Sequence, residues 1–278
     1  MQDLKPDRFA VVGNPISHSK SPEIHNLFAE QTGEIISYEK ILIEPGNFSK
    51  DVAYFFKSGG KGLNITVPFK VDAFKFVTCL TEFAKHAGAV NTIIPQKDKC
   101  FLGANTDGLG LLRDLKKNLR LQISGKRIII IGAGGAVQGI VEPLLLENPR
   151  ELLIANRTPE KAVALVNKFK NMGEIQSCGL NQIPTNPFDL ILHATSAALM
   201  DENLELSAEI IGSQTYCYDL SYSDSDTPFM QWGKKNDAHM IVDGLGMLIE
   251  QAAESFYLWK GKRPDTAMVY NSLRPDST

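Results

Sequence analysis

The stretch that most constrains this chain is Arg127 to Thr158. Ile128, Ile129, Ile130 and Ile131 run into Gly132-Ala133-Gly134-Gly135-Ala136, a helix-like segment follows, and a second apolar run ends in Asn156-Arg157-Thr158. A short apolar run bounded by glycines reads as a buried parallel strand; the glycines let the backbone turn tightly and aim its N–H groups, with a helix N-terminus, at a pyrophosphate. These features describe a dinucleotide-binding βαβ unit. The end of the second strand selects the cofactor. A carboxylate there accepts hydrogen bonds from a ribose 2′-hydroxyl, whereas Asn156, Arg157 and Thr158 offer an amide, a guanidinium fork and a hydroxyl, which suit a 2′-phosphate. The expected cofactor is NADP(H). The glycine pattern departs from G-x-G-x-x-G/A at Val137, and Pro143 falls inside the expected helix. The bland alternative is a glycine-rich turn in an ordinary α/β domain; a strand before, a helix after and phosphate-type ligands about twenty residues on weigh against it.

Composition fits a soluble enzyme. With 278 residues, 43% hydrophobic and 22% charged, the chain is long enough for two domains with separate cores. A net charge of −3 without a basic block gives no sign of a nucleic-acid partner. Cys79, Cys100, Cys178 and Cys217 are widely spaced, and the first eight residues lack an apolar signal core, which points to reduced thiols and the cytoplasm. The nearest approach to a membrane span, Ile128 to Leu146, is interrupted by glycines, a glutamate and a proline, and reads better as strand, turn and helix.

The cofactor unit organises the rest. More than a hundred residues precede it and alternate between strands and helices: Phe9–Val12, a helix after Ser21-Pro22, Tyr38–Ile43, Gly62–Val67, Ala89–Ile94 and Phe101–Ala104. After Thr158 come a helix from Pro159 to about Asn171 and strands at Leu190–His193, Tyr216–Leu220 and Met240–Val242, which complete a Rossmann-type sheet. The expected fold is therefore α/β with two domains. An N-terminal α/β substrate domain spans 1–108 with about 243–278, and an NADP-binding Rossmann domain spans about 109–242. A C-terminal helix, about Met247 to Lys260, returns to the first domain, so that the active site lies in a cleft between the two. The tail after Arg274 is expected to fray.

Oxidising an alcohol with NADP⁺ needs a group that takes the hydroxyl proton. There is no Tyr-x-x-x-Lys pair. His18, His25, His86, His193 and His239 show no metal-ligand spacing with the cysteines, so no metal is expected. The candidate is Lys70 in Asn64-Ile65-Thr66-Val67-Pro68-Phe69-Lys70. Pro68 suits the first turn of a helix, which sets Lys70 near the positive end, where the field disfavours the ammonium form. A solvated surface lysine is the commoner outcome for such a segment taken alone. Asp107, in Gly103-Ala104-Asn105-Thr106-Asp107-Gly108, is the expected carboxylate partner. It also stands where a helix N-cap would; either it caps as well, or Thr106 caps and leaves Asp107 to the cleft.

These residues carry a resemblance that covers nearly the whole chain. Gly13-Asn14-Pro15-Ile16-Ser17-His18-Ser19-Lys20-Ser21-Pro22, the Lys70 segment, Gly88-Ala89-Val90-Asn91-Thr92, Asn105-Thr106-Asp107-Gly108, Tyr218-Asp219-Leu220-Ser221-Tyr222 and Gly244-Leu245-Gly246-Met247-Leu248-Ile249-Glu250-Gln251-Ala252 occur in that order. The chain thus resembles the NADP-dependent shikimate 5-dehydrogenases, which reduce 3-dehydroshikimate to shikimate. The resemblance implies Lys70 and Asp107 as catalytic residues. It implies Ser19 and Ser21 at the substrate carboxylate, and Asn64, Thr66, Asn91, Tyr222 and Gln251 elsewhere on the substrate. Cofactor contacts are expected from Gly132, Ala133, Gly134, Gly135, Ala136, Asn156, Arg157, Thr158, Lys161, Thr195 and Gly244. A polyhydroxylated ring acid wants short polar groups of this kind. Gln251 interrupts an otherwise apolar helix, and a buried amide there needs partners; an exposed position beside Glu250 is the alternative. Ser21 is also placed to cap the helix beginning at Pro22.

The chain departs from the family at three places. His193-Ala194-Thr195-Ser196 stands for the usual Asn-Ala-Thr-Ser, Gln138 stands where an arginine or small residue is common, and Lys161 stands where an arginine often supports the 2′-phosphate. Lysine supplies charge without a planar fork, so these changes bear on cofactor affinity more than on reaction type. His193 is expected to be a harmless strand-end residue. Two further readings are a quinate/shikimate dehydrogenase with broader substrate or NAD use and a non-catalytic nucleotide-sensing regulator. Small-molecule substrates, no membrane partner and a monomer or homodimer complete the expectation.

Overall fold

The computed structural model describes residues 5–195 and 206–274, so Ser196 and the tail after Arg274 lie outside the described residues. The chain divides into two units. The first runs to Leu111 and resumes at Leu248; the second is Leu112–Met247.

In the first unit the chain forms β1 (Asp7–Gly13), α1 (Ser21–Thr32), β2 (Ile36–Leu42), α2 (Phe48–Lys57), β3 (Gly60–Ile65), α3 (Lys70–Phe76), β4 (Cys79–Leu80), α4 (Glu82–Ala87), β5 (Thr92–Pro95) and β6 (Phe101–Ala104). The sheet order is β2-β1-β3-β5-β6-β4. It is mixed: β1 lies parallel to β2 and β3, β4 lies parallel to β6, and β5 runs antiparallel to both β3 and β6. Period-two alternation along β1 fills both faces. Ala10 and Val12 join Phe48, Val52, Phe55, Phe69 and Ala73 on one side, while Phe9 and Val11 join Ile16, Tyr38 and Trp259 on the other.

After α5 (Asp107–Arg113) and a π-turn at Asp114–Asn118, the second unit contains β7 (Arg127–Ile131), α6 (Gly135–Leu146), β8 (Glu151–Asn156), α7 (Pro159–Phe169), β9 (Ile175–Gly179), β10 (Leu190–His193), β11 (Tyr216–Asp219), α8 (Pro228–Lys235) and β12 (Met240–Val242). All six strands are parallel, in the order β12-β11-β10-β7-β8-β9. This is the doubly wound dinucleotide-binding arrangement, with its topological switch between β7 and β10. Ile128, Ile129, Ile130 and Ile131 are all fully buried, as a central parallel strand covered on both faces requires. Pro143 does lie within α6. The edge strand β9 is absent from the sequence reading because Ile175-Gln176-Ser177-Cys178-Gly179 has no apolar run; β8 supplies its pairing and register.

The chain closes with α9 (Leu245–Lys260) and α10 (Thr266–Leu273). It passes from one unit to the other inside α5 and inside α9, a few residues beyond the loop ends at 108 and 243 read from sequence. The cause is that both passages are made along continuous helix. The later part of α9 belongs to the first unit, where Trp259 stacks on Phe9 at 4.7 Å and Phe256 meets Phe28 edge-on at 5.7 Å. The short α10 has no counterpart in the sequence reading.

Beneath that aromatic group lies His25 of α1, fully buried, its ring stacked on Tyr38 at 4.4 Å. Neither ring nitrogen has a hydrogen-bond partner. Burial lowers its pKa from 6.5 to about 3, with the nearby Asn64 side chain pulling weakly the other way. Well above pH 6.5 the ring is neutral in both folded and unfolded chains, and its titration does not affect stability. As pH falls towards 3, the unfolded chain takes up a proton that the folded chain excludes, and stability is lost. His25→Phe should therefore flatten the fall in unfolding free energy between pH 6 and 4 by about 1 kcal/mol per pH unit relative to wild type. Denaturant titrations at several pH values measure this; parallel curves would show that His25 is not the acid-labile group.

Candidate active site

The first unit's polar cluster is built where three strand ends meet two helix starts. Lys70 is the first residue of α3, and Asp107 the first of α5. Their side chains form an ion pair with Nζ 2.6 Å from Oδ2, at 14% and 7% side-chain exposure. The start of α3 differs from the expectation. Val67–Pro68 is a cis peptide, Phe69 occupies the cap position and the helix begins at Lys70, so Pro68 lies outside the first turn. Capping of α5 also differs: neither Asp107 nor the Thr106 hydroxyl serves. Instead Asn105 Oδ1 accepts the Asp107 N–H at 3.1 Å, which frees the Asp107 carboxylate for Lys70 and frees the Thr106 hydroxyl for other partners.

Asp107 Oδ1 accepts from Asn91 Nδ2 at 2.8 Å. Asn91 is buried just before β5, and its Nδ2 also faces Thr106 Oγ1 at 2.9 Å and Gln251 Oε1 at 3.3 Å. Gln251 is thus partly buried and partnered, and its Nε2 donates to the Leu248 carbonyl at 2.9 Å. Its position depends on Gly110, because a Cβ there would stand 2.6 Å from Gln251 Cβ. Asn64, at the end of β3, receives the Tyr38 hydroxyl on Oδ1 at 2.7 Å and turns Nδ2 to Ser255 Oγ at 3.0 Å. Burial raises the Tyr38 pKa well above its ordinary value, with the Ser21 hydroxyl pulling the other way, so Tyr38 remains a proton donor. Ser19 and Ser21 stand 3.2 Å apart at the start of α1, and Ser19 Oγ accepts the Ser21 N–H at 3.3 Å. The Ser21 hydroxyl does not cap α1, whose cap position is Lys20. Thr66 follows β3, with its N–H given to the Val12 carbonyl at 2.9 Å.

Tyr38, Thr92 and Ser255 belong to this network but are not among the residues singled out from sequence. Tyr38 is the one aromatic and the one buried residue of β2, and Ser255 lies one turn beyond Gln251 on the same helix face.

The second unit holds the remaining candidates. Gly132 has φ +125°, and a Cβ on it would come within 2.8 Å of the Ala194 carbonyl, so the turn after β7 requires glycine. Ala133 continues that turn, and Gly135 and Ala136 open α6. Cβ atoms added at Gly134 or Gly135 would meet nothing within 4 Å. The open space before the first N–H groups of a twelve-residue helix is what a pyrophosphate needs. At the end of β8, Asn156 Nδ2 donates to the Thr158 carbonyl at 2.8 Å, shaping the turn that presents Arg157, Thr158 and Lys161 on the exposed start of α7. A basic side chain and helix N–H groups at one site suit a phosphate. The residues present fit a 2′-phosphorylated dinucleotide.

Thr195 is buried just past β10, its hydroxyl 2.7 Å from His193 Nε2. His193 Nδ1 lies 3.3 Å from Asp219 Oδ1, and the ring stacks on Phe229 at 4.7 Å. His193 is thus a buried strand-end residue that braces Thr195, with both nitrogens in use. Tyr222 follows β11 and is half-buried; the same turn is tied to Gly244, whose N–H donates to the Ser221 carbonyl at 2.9 Å. The structure therefore joins Ser19, Ser21, Asn64, Lys70, Asn91, Asp107 and Gln251 into one cluster in the first unit, with Thr66 beside Asn64 in sequence. Tyr222 and the cofactor candidates belong to the second. Among the described residues no group of three or more His, Cys, Asp or Glu is arranged to hold a metal ion, and no helix is long and apolar enough to cross a membrane.

Comparison with known proteins agrees along the whole chain. The shikimate dehydrogenase substrate binding domain matches residues 11–93, the shikimate/quinate 5-dehydrogenase domain matches 114–217, and the shikimate 5′-dehydrogenase C-terminal domain matches 244–274. A shikimate dehydrogenase (NADP(+)) of Alkalilimnicola ehrlichii is 49% identical over 270 residues, covering 97% of this chain and 99% of that one. One from Vesicomyosocius okutanii is 50% identical over 267 residues, covering 96% and 99%. The crystal structure of shikimate 5-dehydrogenase from Thermus thermophilus in complex with NADP(H) and shikimate superposes with a TM-score of 0.85 at 30% identity, covering 97% of this chain and 99% of that one. On this agreement of fold, motif and sequence, the chain belongs to the shikimate dehydrogenase family.

Proposed function

We propose that this protein is an NADP-dependent oxidoreductase that interconverts shikimate and 3-dehydroshikimate, a step of aromatic amino-acid biosynthesis. The observation that carries the reading is the Lys70–Asp107 pair, 2.6 Å long and largely shielded from water, set among amides and hydroxyls suited to a polyhydroxylated acid. The Gly132 to Ala136 loop with Asn156, Arg157, Thr158 and Lys161 would hold NADP(H), whose nicotinamide would supply or take the hydride. Lys70 gives a proton to the carbonyl oxygen of 3-dehydroshikimate, or takes it from the shikimate hydroxyl in the reverse direction. Asp107 keeps the Lys70 ammonium in place through Oδ2, while Asn91 keeps Asp107 in place through Oδ1. Asn64, Thr66, Asn91, Tyr222 and Gln251 bind ring hydroxyls, and Ser19 and Ser21 donate to the substrate carboxylate. Thr195 and Gly244 complete the cofactor contacts. The first unit, which runs to Leu111 and resumes at Leu248, serves as the substrate-binding catalytic domain, and Leu112–Met247 as the cofactor domain. Four unpaired cysteines suit a cytoplasmic enzyme.

A spectrophotometric assay of shikimate and quinate, each with NADP⁺ and NAD⁺, tests the reading; turnover of shikimate with NADP⁺ is the expected best case. Lys70→Met should lower kcat by on the order of a hundredfold or more while the shikimate KM stays within a few-fold, since the lysine acts mainly in the transition state. Near-normal kcat in that variant would remove Lys70 from proton transfer. Asp107→Asn should damage both kcat and KM, because one carboxylate orients Lys70 and meets a substrate hydroxyl; unchanged kinetics would reduce it to a structural residue. For the cofactor, Arg157→Ala should weaken NADP by about 1.5–3 kcal/mol and NAD far less, the loss expected of a charge-assisted contact to the 2′-phosphate. Equal losses for the two cofactors would mean that Arg157 merely shapes the loop.

A further inference from the structure

Asn91 has one donating and one accepting end, and the site needs them a particular way round. Its Oδ1 receives the Thr106 N–H at 3.0 Å and the Thr92 hydroxyl at 2.9 Å, while its Nδ2 faces Asp107 Oδ1 at 2.8 Å. Reversed, the amide would set a carbonyl oxygen against the Asp107 carboxylate and lose the interaction that steadies it. Thr92 has a single hydroxyl proton. When that proton is given to Asn91, the Thr92 oxygen can only accept, and Asn64 Nδ2 at 3.2 Å donates to it, with Ser255 Oγ packed against it at 2.8 Å. Ser255 is in turn surrounded by Asn64 Nδ2 at 3.0 Å, the Gln251 carbonyl at 3.1 Å and Thr106 Oγ1 at 3.3 Å. Thr92 and Ser255 are both fully buried.

We infer that Thr92, backed by Ser255, is a positioning residue that holds the Asn91 amide in the orientation from which it fixes Asp107 and, through Asp107, Lys70. Neither hydroxyl contacts Lys70 or Asp107 directly. Their effect passes along the contacts: Ser255 Oγ and Asn64 Nδ2 hold the Thr92 oxygen, Thr92 donates to Asn91 Oδ1, Asn91 Nδ2 donates to Asp107, and Asp107 receives the Lys70 ammonium. The inference rests on Lys70 and Asp107 acting as the proton-transfer pair.

Thr92→Val removes the hydroxyl with little change of shape, and Thr92→Ser keeps the hydroxyl while removing the methyl. Kinetics of the full-length enzyme with shikimate and NADP⁺ should show kcat lowered more than threefold in Thr92→Val, with the KM for NADP⁺ unchanged. Thr92→Ser should stay within threefold of wild type, even where loss of the methyl lowers its melting temperature. A role in packing alone would give the opposite order. Thr92→Val with kcat within threefold of wild type, or Thr92→Ser as impaired as Thr92→Val, would overturn the inference. Should Thr92→Val fail to fold, Ser255→Ala, which deletes one oxygen, should still lower kcat; wild-type kcat there would overturn it equally. A wild type inert towards shikimate would sink the functional reading itself, whereas an active wild type with an indifferent Thr92→Val would sink this inference alone.

Discussion

A charged pair largely withdrawn from water is unstable unless each charge keeps its partner, and the first unit is arranged around that requirement. Lys70 and Asp107 lie on separate helices, each at the first residue, so the strand ends before them decide whether the charges meet. Removing either partner leaves an uncompensated charge in a low-dielectric site. The carboxylate gains a second support from Asn91, which the antiparallel pairing of β5 with β3 and β6 brings beside it. That antiparallel strand is the element that separates this sheet from a plain parallel one. It sets Asn91 and Thr92 between β3 and β6, so the Asn91 backbone carbonyl receives the Ile65 N–H and the Asn64 side chain on one side while its side-chain amide meets Thr106 and Asp107 on the other.

The second unit depends on a different constraint, the closeness of backbone to backbone at the switch point. Gly132 passes against the Ala194 carbonyl, leaving the following glycines facing open space. Rigidity behind the loop comes from β7, buried on both faces, and from the His193–Asp219–Thr195 group, in which Asp219 also receives the Thr227 hydroxyl at 2.7 Å. The histidine that departs from the family's usual asparagine is therefore a packed and hydrogen-bonded residue, and it offers no free group to a ligand.

Much of this was legible in the chain. The isoleucine run and glycine turn specify β7 and α6 because burial on two faces and close backbone approach each admit few residue types. Asp107 and Lys70 were named from short polar segments beside strands. What stayed hidden depended on neighbours distant in sequence. The edge strand β9 lacks an apolar pattern and exists because β8 offers hydrogen bonds. The cap of α5 came from Asn105 and not from Asp107 or Thr106, because the Asp107 carboxylate is held by Lys70 and the hydroxyl of Thr106 is drawn into the network with Asn91, Gln251 and Ser255. Ser255 lies 163 residues from Thr92, and no local pattern announces their contact.

The return of α9 to the first unit sets an order in time. As the chain is made from its N-terminus, the segments that carry Asn64, Asn91 and Asp107 emerge long before Gln251, Ser255 and Trp259. The second unit, continuous from Leu112 to Met247, has all of its strands before those residues exist. Until α9 arrives, Phe9 and Phe28 lack their aromatic cover and Asn64 and Thr106 lack the Ser255 hydroxyl. The half of the protein synthesised first is thus the half completed last, and its polar cluster closes only when the final helices have left the ribosome.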